Sequence, residues 1–308
     1  MSKVLISGVS GFLGSYIAER LLRDGNEVIG LKRSTSNLFR CENFVEQVVW
    51  INVDETNWKQ QVLKLGPDII IHSAWSGVSA DKRVAWKEQL SNLEMVLDLL
   101  ELGAELKISK FMGLGSQAEY GTFSGKVDES YSANPNTAYG AVKLMASTLA
   151  KSFCEASNIN WYWLRLFPMF GEKEDQNWLI PSVIKSILDK KSMDLTPGMQ
   201  KYAYLYVKDF AEYVAILIGK NLSSTAAGVY NISSDRAITL KELIEKIRDR
   251  IDASVTLNFG ALPYRSYQSM HLEGDMSKFN STIERIKLTD FDKALYQTID
   301  YYINKAHH

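Results

Sequence analysis

A glycine turn set between a strand and a helix constrains this chain more than any other feature. Val4-Leu5-Ile6 is an apolar, partly β-branched run that suits a strand covered on both faces. Gly8, Gly11 and Gly14 follow at G-x-x-G-x-x-G spacing. Gly8 permits a tight turn, Gly11 a close approach of backbone to a pyrophosphate, and Gly14 close packing of helix on strand. Ile17, Leu21 and Leu22 give the next segment an apolar helical face. A helix starting here points free N–H groups and its positive dipole end at the phosphates. Phe12 and Leu13, in its first turn, belong to the same expected contact.

The alternation continues. Glu27–Leu31, Val48–Asp54, Asp68–Trp75 and Lys110–Ser116 read as strands. Helical periodicity covers Trp58–Leu65, stopped by Gly66-Pro67, and Trp86–Leu102, stopped by Gly103. This rhythm predicts an α/β fold with a doubly wound parallel sheet. Ligands of such sheets sit outside the carboxyl ends of the strands, where Gly8, Lys32, Asp54, Ala74 and Ser116 all fall. Lys32-Arg33 ends the second strand, where an NAD site usually carries an acid for the ribose 2′-hydroxyl. Two cations there suit a 2′-phosphate, so NADP (NADPH) is expected over NAD. Asp54, preceded by Val53, is placed either to accept from the adenine amino group or to cap the next helix. His72 reads as a packed strand-end histidine.

Gln117–Thr137 reads as a loop, Ala138–Ser157 as a long helix and Ile159–Phe167 as a strand. The rhythm then loosens. A helix over Trp178–Leu188, a strand over Tyr202–Val207, a helix over Asp209–Ile218 and a short strand over Val229–Ile232 are expected. A helix over Thr239–Ile251 follows, with Thr239 and Glu242 as a capping box. Residues 1–167 therefore form the expected cofactor domain carrying the catalytic residues. Residues 168–308 form a smaller α/β substrate-binding part, with a soft boundary across which the chain returns.

The formal net charge of −1 speaks against nucleic acid as a partner. No apolar run is long enough to span a membrane, and the start lacks a basic-apolar-small signal. Cys41 and Cys154 lie far apart in no metal-ligand spacing, so no metal site and a reduced, cytoplasmic setting are expected.

Tyr139 and Lys143 stand at i and i+4 on one helix face. An ammonium near the phenol would lower its pKa and equip Tyr139 for proton transfer near neutral pH. Ser116, at a strand end, could bond the same substrate oxygen.

Gly8-x-x-Gly11-Phe12-x-Gly14, Gly115-Ser116-Gln117-Ala118-Glu119-Tyr120-Gly121 and Tyr139-x-x-x-Lys143 together resemble the extended short-chain dehydrogenase/reductases. That family acts largely on nucleotide sugars, and the similarity runs nearly the whole chain. The resemblance implies Ser116, Tyr139 and Lys143 as catalytic triad, with Lys143 also holding the nicotinamide ribose. It places Arg165 to Gly171, Pro168 included, beside the nicotinamide and Asn92 near the active site. It assigns the substrate diphosphate to Arg265 of Pro263-Tyr264-Arg265, and Gln117 and Asn177 join the expected substrate contacts. It also implies a homodimer through paired helices.

Two departures narrow the reading. The family's 4,6-dehydratases carry Asp-Glu after the catalytic Ser/Thr, and here Gln117-Ala118 can neither give nor take a proton. Tyr202 stands where the family usually has an arginine. The Gly-Ser-Gln-Ala-Glu-Tyr-Gly and Pro-Tyr-Arg runs most resemble ketoreductases making 6-deoxy sugars. The expectation is thus an NADPH-dependent 4-ketoreductase of a nucleotide-linked 4-keto-6-deoxysugar. A 4-epimerase with retained NAD and a non-catalytic NADP-binding redox sensor stand as alternatives.

Overall fold

The structure, a computed structural model, describes residues 1–264 and 268–306. The first half contains β1 (Lys3–Ser7), α1 (Phe12–Arg23), β2 (Glu27–Lys32), β3 (Val48–Asn52), α2 (Trp58–Leu65) and β4 (Ile69–His72). Then come α3 (Trp86–Leu90), α4 (Asn92–Leu106), β5 (Lys110–Ser116), β6 (Ser124–Val127), α5 (Ala138–Ala156) and β7 (Asn160–Leu166). The remainder adds β8 (Met169–Phe170), α6 (Leu179–Leu188), β9 (Met193–Leu195), β10 (Lys201–Tyr202), β11 (Leu205–Tyr206) and α7 (Val207–Gly219). It closes with β12 (Gly228–Ile232), β13 (Ile238–Thr239), α8 (Leu240–Ile251), β14 (Leu257–Phe259), β15 (His271–Gly274), α9 (Ser277–Thr282) and α10 (Phe291–Ala306).

Seven strands form one sheet in the order β12-β7-β5-β4-β1-β2-β3, and every neighbouring pair is parallel. The order reverses between β1 and β4, which opens a crevice at their carboxyl ends. Val4, Leu5 and Ile6 are fully buried, with helices on both faces as an all-parallel sheet requires. Strand β12 comes from beyond residue 167, so the later chain completes the sheet. Arg20 of α1 and Glu212 of α7 pair at 2.6 Å. Buried Lys110, at the start of β5, donates to the carbonyls of Leu217, Ile218 and Lys220 at 2.8, 2.9 and 2.6 Å. A cation thus satisfies the orphan carbonyls ending α7.

Four local expectations are corrected. The helix expected over Trp86–Leu102 is two helices separated at Ser91. The Asn92 side chain donates to Ser76, Glu88 and Gln89 carbonyls at 3.2, 3.2 and 3.0 Å and accepts from the Ser76 amide at 2.7 Å, which ties the break to the loop after β4. Gly103 does not end α4, which runs to Leu106 and stops at left-handed Lys107. Gly103 serves packing instead, since a Cβ there would lie 2.7 Å from Ile108 Cδ1. The stretch Gln117–Thr137 contains β6, parallel to β15. Tyr202–Val207 is no single strand: β10 pairs with β15 and β13, β11 pairs with β8, and α7 already starts at Val207. Thr239 caps α8 by accepting from the Glu242 amide at 3.1 Å, but the other half of the expected box is not made, since the Glu242 carboxylate pairs with Arg236 at 3.4 Å.

Candidate active site

The crevice at the switch point widens into a cleft of about 1220 Å³ between the sheet and the residues after 167. Its floor begins at the glycine turn. Gly8 has φ +78°, and a Cβ there would lie 2.7 Å from the Ala74 amide nitrogen. A Cβ on Gly14 would lie 2.1 Å from the Gly8 carbonyl oxygen, so only glycine lets α1 start so close to β1. No side chain caps the amino end of α1. Its first amides are therefore available to an anion. Gly8, Gly11, Phe12 and Leu13 line the cleft, while Gly14 acts through packing. These groups fit a dinucleotide pyrophosphate.

The remaining expected cofactor residues divide. Lys32, Arg33, Val53, Ala74, Asn92 and Pro168 line the cleft. Asp54 is not among its lining residues; its Oδ2 accepts from the Ser34 amide and hydroxyl at 2.7 and 2.6 Å. Nor does it cap α2, whose N-cap is Asn57. The Ser34 contact joins the loop after β2 to the end of β3 and holds the segment carrying Arg33. His72 is packed as expected: its Nδ1 meets Ser7 Oγ at 2.9 Å, and burial, followed by the Lys143 charge, pushes its pKa down to about 3. Ser7 Oγ also accepts from the Ser73 and Ala74 amides at 3.2 and 3.3 Å, fixing the loop that approaches Gly8.

Ser116, Tyr139 and Lys143 converge where β5 ends against α5. The Ser116 hydroxyl favours the ionised form of the Tyr139 phenol. Both residues line the cleft, as does Gln117. Ser116 is held by a capping box: its Oγ accepts from the Ala118 amide at 3.2 Å, and Glu119 Oε1 accepts from the Ser116 amide at 2.8 Å. Fully buried Glu119 also accepts from Trp163 Nε1 at 2.9 Å and from Arg165 Nε at 2.8 Å. The S-x-x-E spacing at 116–119 is a capping-box signature, so this support was legible.

The expected coupling of Lys143 to Tyr139 is corrected in its geometry. Buried Lys143 donates to the Leu114 carbonyl at 2.6 Å and lies 3.6 Å from the Trp75 ring centre. It stands 5.9 Å from the Tyr139 ring centre. Burial pushes its ammonium down to about 7, with the Glu119 carboxylate opposing. The cation nearer the Tyr139 ring is Arg83, 4.8 Å from the ring centre. Burial pushes the Tyr139 phenol up, and Arg83 and the Ser116 hydroxyl pull it back, against a smaller upward push from Glu119.

Two expected substrate contacts are not brought to this point. Asn177 is exposed and bonded to Asp175, so its side chain closes a turn outside the cleft lining. Arg265 lies outside the described residues. Sequence reasoning missed Arg83, Trp75 and Trp178, which line the cleft beside Tyr139, because nothing in their spacing marks them. It also missed buried Gln200, whose Oε1 lacks a partner, and Glu174. Burial and then the Asp175 charge push the Glu174 carboxyl up to about 8. Among the described residues no cluster of His, Cys, Asp and Glu could hold a metal, and no helix is long and apolar enough to cross a membrane.

A glycine-cradled anion site feeding a Ser–Tyr–Lys group defines an oxidoreductase-type nicotinamide enzyme, and comparison with known proteins agrees. Residues 4–233 match the model of the NAD dependent epimerase/dehydratase family. The chain belongs to that family, the extended short-chain dehydrogenase/reductases, and is an NAD(P)-dependent enzyme of this type. It is 23% identical over 277 residues to dTDP-6-deoxy-L-talose 4-dehydrogenase (NAD(+)) of Aggregatibacter actinomycetemcomitans, covering 88% of this chain and 98% of that one. It is 25% identical over 280 residues to CDP-abequose synthase of Salmonella muenchen, covering 89% of each. In fold it resembles UDP-N-acetylglucosamine 4-epimerase of Methanobrevibacter ruminantium M1, with TM-score 0.88, 24% identity and 99% of each chain covered.

Proposed function

We propose that this chain reduces the keto group of a nucleotide-linked 4-keto-6-deoxysugar with NADPH. The carrying observation is Gln117-Ala118 directly after Ser116, where Ser116, Gln117 and Tyr139 line one cleft. Elimination of water needs a titratable group beyond the tyrosine; a reduction needs a proton donor and a group to steady the oxygen. NADPH, when bound, supplies the hydride. Tyr139 protonates the nascent alkoxide, Ser116 hydrogen-bonds the same oxygen, and Lys143 orients the site. The similarity to CDP-abequose synthase supports the substrate class. Lys32 and Arg33 at the cleft support the 2′-phosphate, although one relative's name specifies NAD(+).

The test is a panel of nucleotide-4-ketosugars followed by NADPH absorbance and product mass. One NADPH consumed per sugar, with no loss of water, is expected; a product lighter by one water with the cofactor recycled overturns the proposal. The epimerase reading is supported by sequence relatives named as 4-epimerases and by the likeness of fold to one, and nicotinamide cofactor retained through purification would favour it.

A homodimer is part of the same proposal. Leu97 of α4 and Met145 of α5 are exposed large apolar residues on two helices that pack together, which suits a two-fold four-helix contact. Light scattering at micromolar concentration should give twice the chain mass, and a monomer mass would refute this part.

A further inference from the structure

We propose that Glu119 is the positioning residue of Ser116: its Oε1 fixes the backbone from which the serine hydroxyl meets the substrate oxygen, and it does so as a hydrogen-bond acceptor, not through its charge. The inference rests on the reading of Ser116 as the group that steadies that oxygen. Ser116 is the last residue of β5. Its amide donates at 2.8 Å to Glu119 Oε1, on a side chain three residues further along. One lone pair of its hydroxyl is taken by the Ala118 amide at 3.2 Å. That bond leaves the hydroxyl proton unused, on a residue that lines the cleft. Backbone and hydroxyl are thus each pinned by one bond within the turn that follows β5.

The place for this carboxylate is built. Glu119 is fully buried, and a Cβ on Gly115 would lie 2.4 Å from its Oε1 and 2.2 Å from Trp163 Nε1. Only a glycine before Ser116 leaves room for both groups. The two carboxylate oxygens do different work. Oε1 accepts from the Ser116 amide and from Trp163 Nε1 at 2.8 and 2.9 Å, and Oε2 accepts from Arg165 Nε at 2.8 Å. Buried Arg165 lies 4.5 Å from the Tyr120 ring centre. The Tyr120 hydroxyl donates to Asn231 Oδ1 at 2.7 Å, and Asn231 Nδ2 donates to the Val127 carbonyl at 2.9 Å. Val127 ends β6, which pairs with β15 and through it with β10. Tyr202 of β10 and Leu272 of β15 line the cleft. The strut under Ser116 therefore stands on the same small sheet that carries part of the substrate wall. Losing the charge at Glu119 strands Arg165 and costs stability, whatever neutral residue takes its place. Only a replacement without an acceptor also orphans the Ser116 amide.

The experiment compares Glu119→Gln, which keeps an acceptor at this point, with Glu119→Leu, which does not. Both are expected to lower the thermal midpoint by about 5 °C or more. Glu119→Leu alone is expected to speed hydrogen exchange at the Ser116 amide, read by NMR, by about tenfold or more over Glu119→Gln. Its kcat for ketosugar reduction is expected to fall about ten- to hundredfold with KM for NADPH unchanged, while Glu119→Gln stays within about threefold of the parent. Equal losses of kcat in the two variants overturn the inference, because the loss would then follow charge or stability. If Glu119→Leu does not fold, the parent decides: its Ser116 amide is expected to exchange as slowly as the middle of β5, and exchange as fast as at a frayed strand end overturns the inference. Ser116→Ala separates this role from the reaction. A parental rate in Ser116→Ala removes the reading of Ser116 and the inference with it; a slow Ser116→Ala beside a Glu119→Leu of parental rate overturns the inference alone. A protein that reduces no 4-ketosugar yet shows the exchange difference loses the proposed reaction and keeps Glu119 as the support of Ser116.

Discussion

The two walls of the cleft carry opposite charge. Among the described residues that line it, those before 168 include Lys32, Arg33, Arg40 and Arg83 and no carboxylate. Those after 167 include Glu174, Asp175 and Asp194 and neither lysine nor arginine. The first wall also offers the uncapped amino end of α1. It is built for phosphate-bearing anions. The second offers acceptors, with unpartnered oxygens on Glu174 and Gln200, and suits the hydroxyl donors of a sugar. Tyr139 lies between them, with Arg83 of the first wall and Trp178 of the second against the same guanidinium–aromatic contact. The difference teaches that the cationic wall is the one suited to the cofactor's phosphates, while the acceptor-rich wall faces it across the catalytic phenol.

The largest expected effect is at the junction of the walls. Tyr139→Phe should lower the reduction rate by about 10²–10⁴, the worth of a positioned general acid, with NADPH affinity unchanged by calorimetry. Lys143→Ala should damage rate and cofactor binding together. A Tyr139→Phe enzyme at parental rate would remove the junction from the chemistry and leave two walls with no reaction between them.

The cationic wall is tested next. Arg33→Ala should cost about 1–3 kcal/mol of NADPH binding, as for a charge-assisted hydrogen bond, and leave NADH binding as it was. Equal affinities for NADPH and NADH in the parent would break the assignment of this wall to a 2′-phosphate.

The acidic wall gives the smallest effect, read in stability. The Glu174 carboxyl is raised in the folded chain from 4.5 to about 8. The folded form therefore keeps a proton that the unfolded form has released, and stability falls as pH rises between those values. Glu174→Gln removes this term. It should gain on the parent by about 1–2 kcal/mol in denaturant unfolding between pH 5 and pH 8. A difference between the two proteins that does not change with pH would show that Glu174 is charged in the fold and that the wall is more open than its burial implies.

Much of the fold was legible because it is written in local terms. The strand–glycine–helix opening, the alternation of strands and helices, and the Thr239 cap each depend on neighbours within a few residues. The fate of Tyr202–Val207 was not legible, because its residues divide between strands in two sheets whose partners lie far along the chain. Ser116, Tyr139 and Lys143 could be nominated from motif and spacing, and Glu119 could have been found from its capping-box register. At its strand end Asp54 suits either an adenine acceptor or a helix cap, yet its Oδ2 bonds Ser34 on the neighbouring strand's loop, a partner that spacing does not mark.

The sequence by itself determined the kind of site. Gly8 and Gly14 permit one close crossing of strand and helix, and Tyr139 and Lys143 share a helix face by the helical repeat. Only the tertiary structure decided where the cations around Tyr139 settle. Lys143 is four residues from Tyr139 yet turns to a carbonyl of β5, while Arg83, 56 positions earlier by residue number, is brought against the ring. Side-chain spacing along a helix fixes direction, but burial and the supply of hydrogen-bond partners fix where an ammonium settles, and those come from the packed fold.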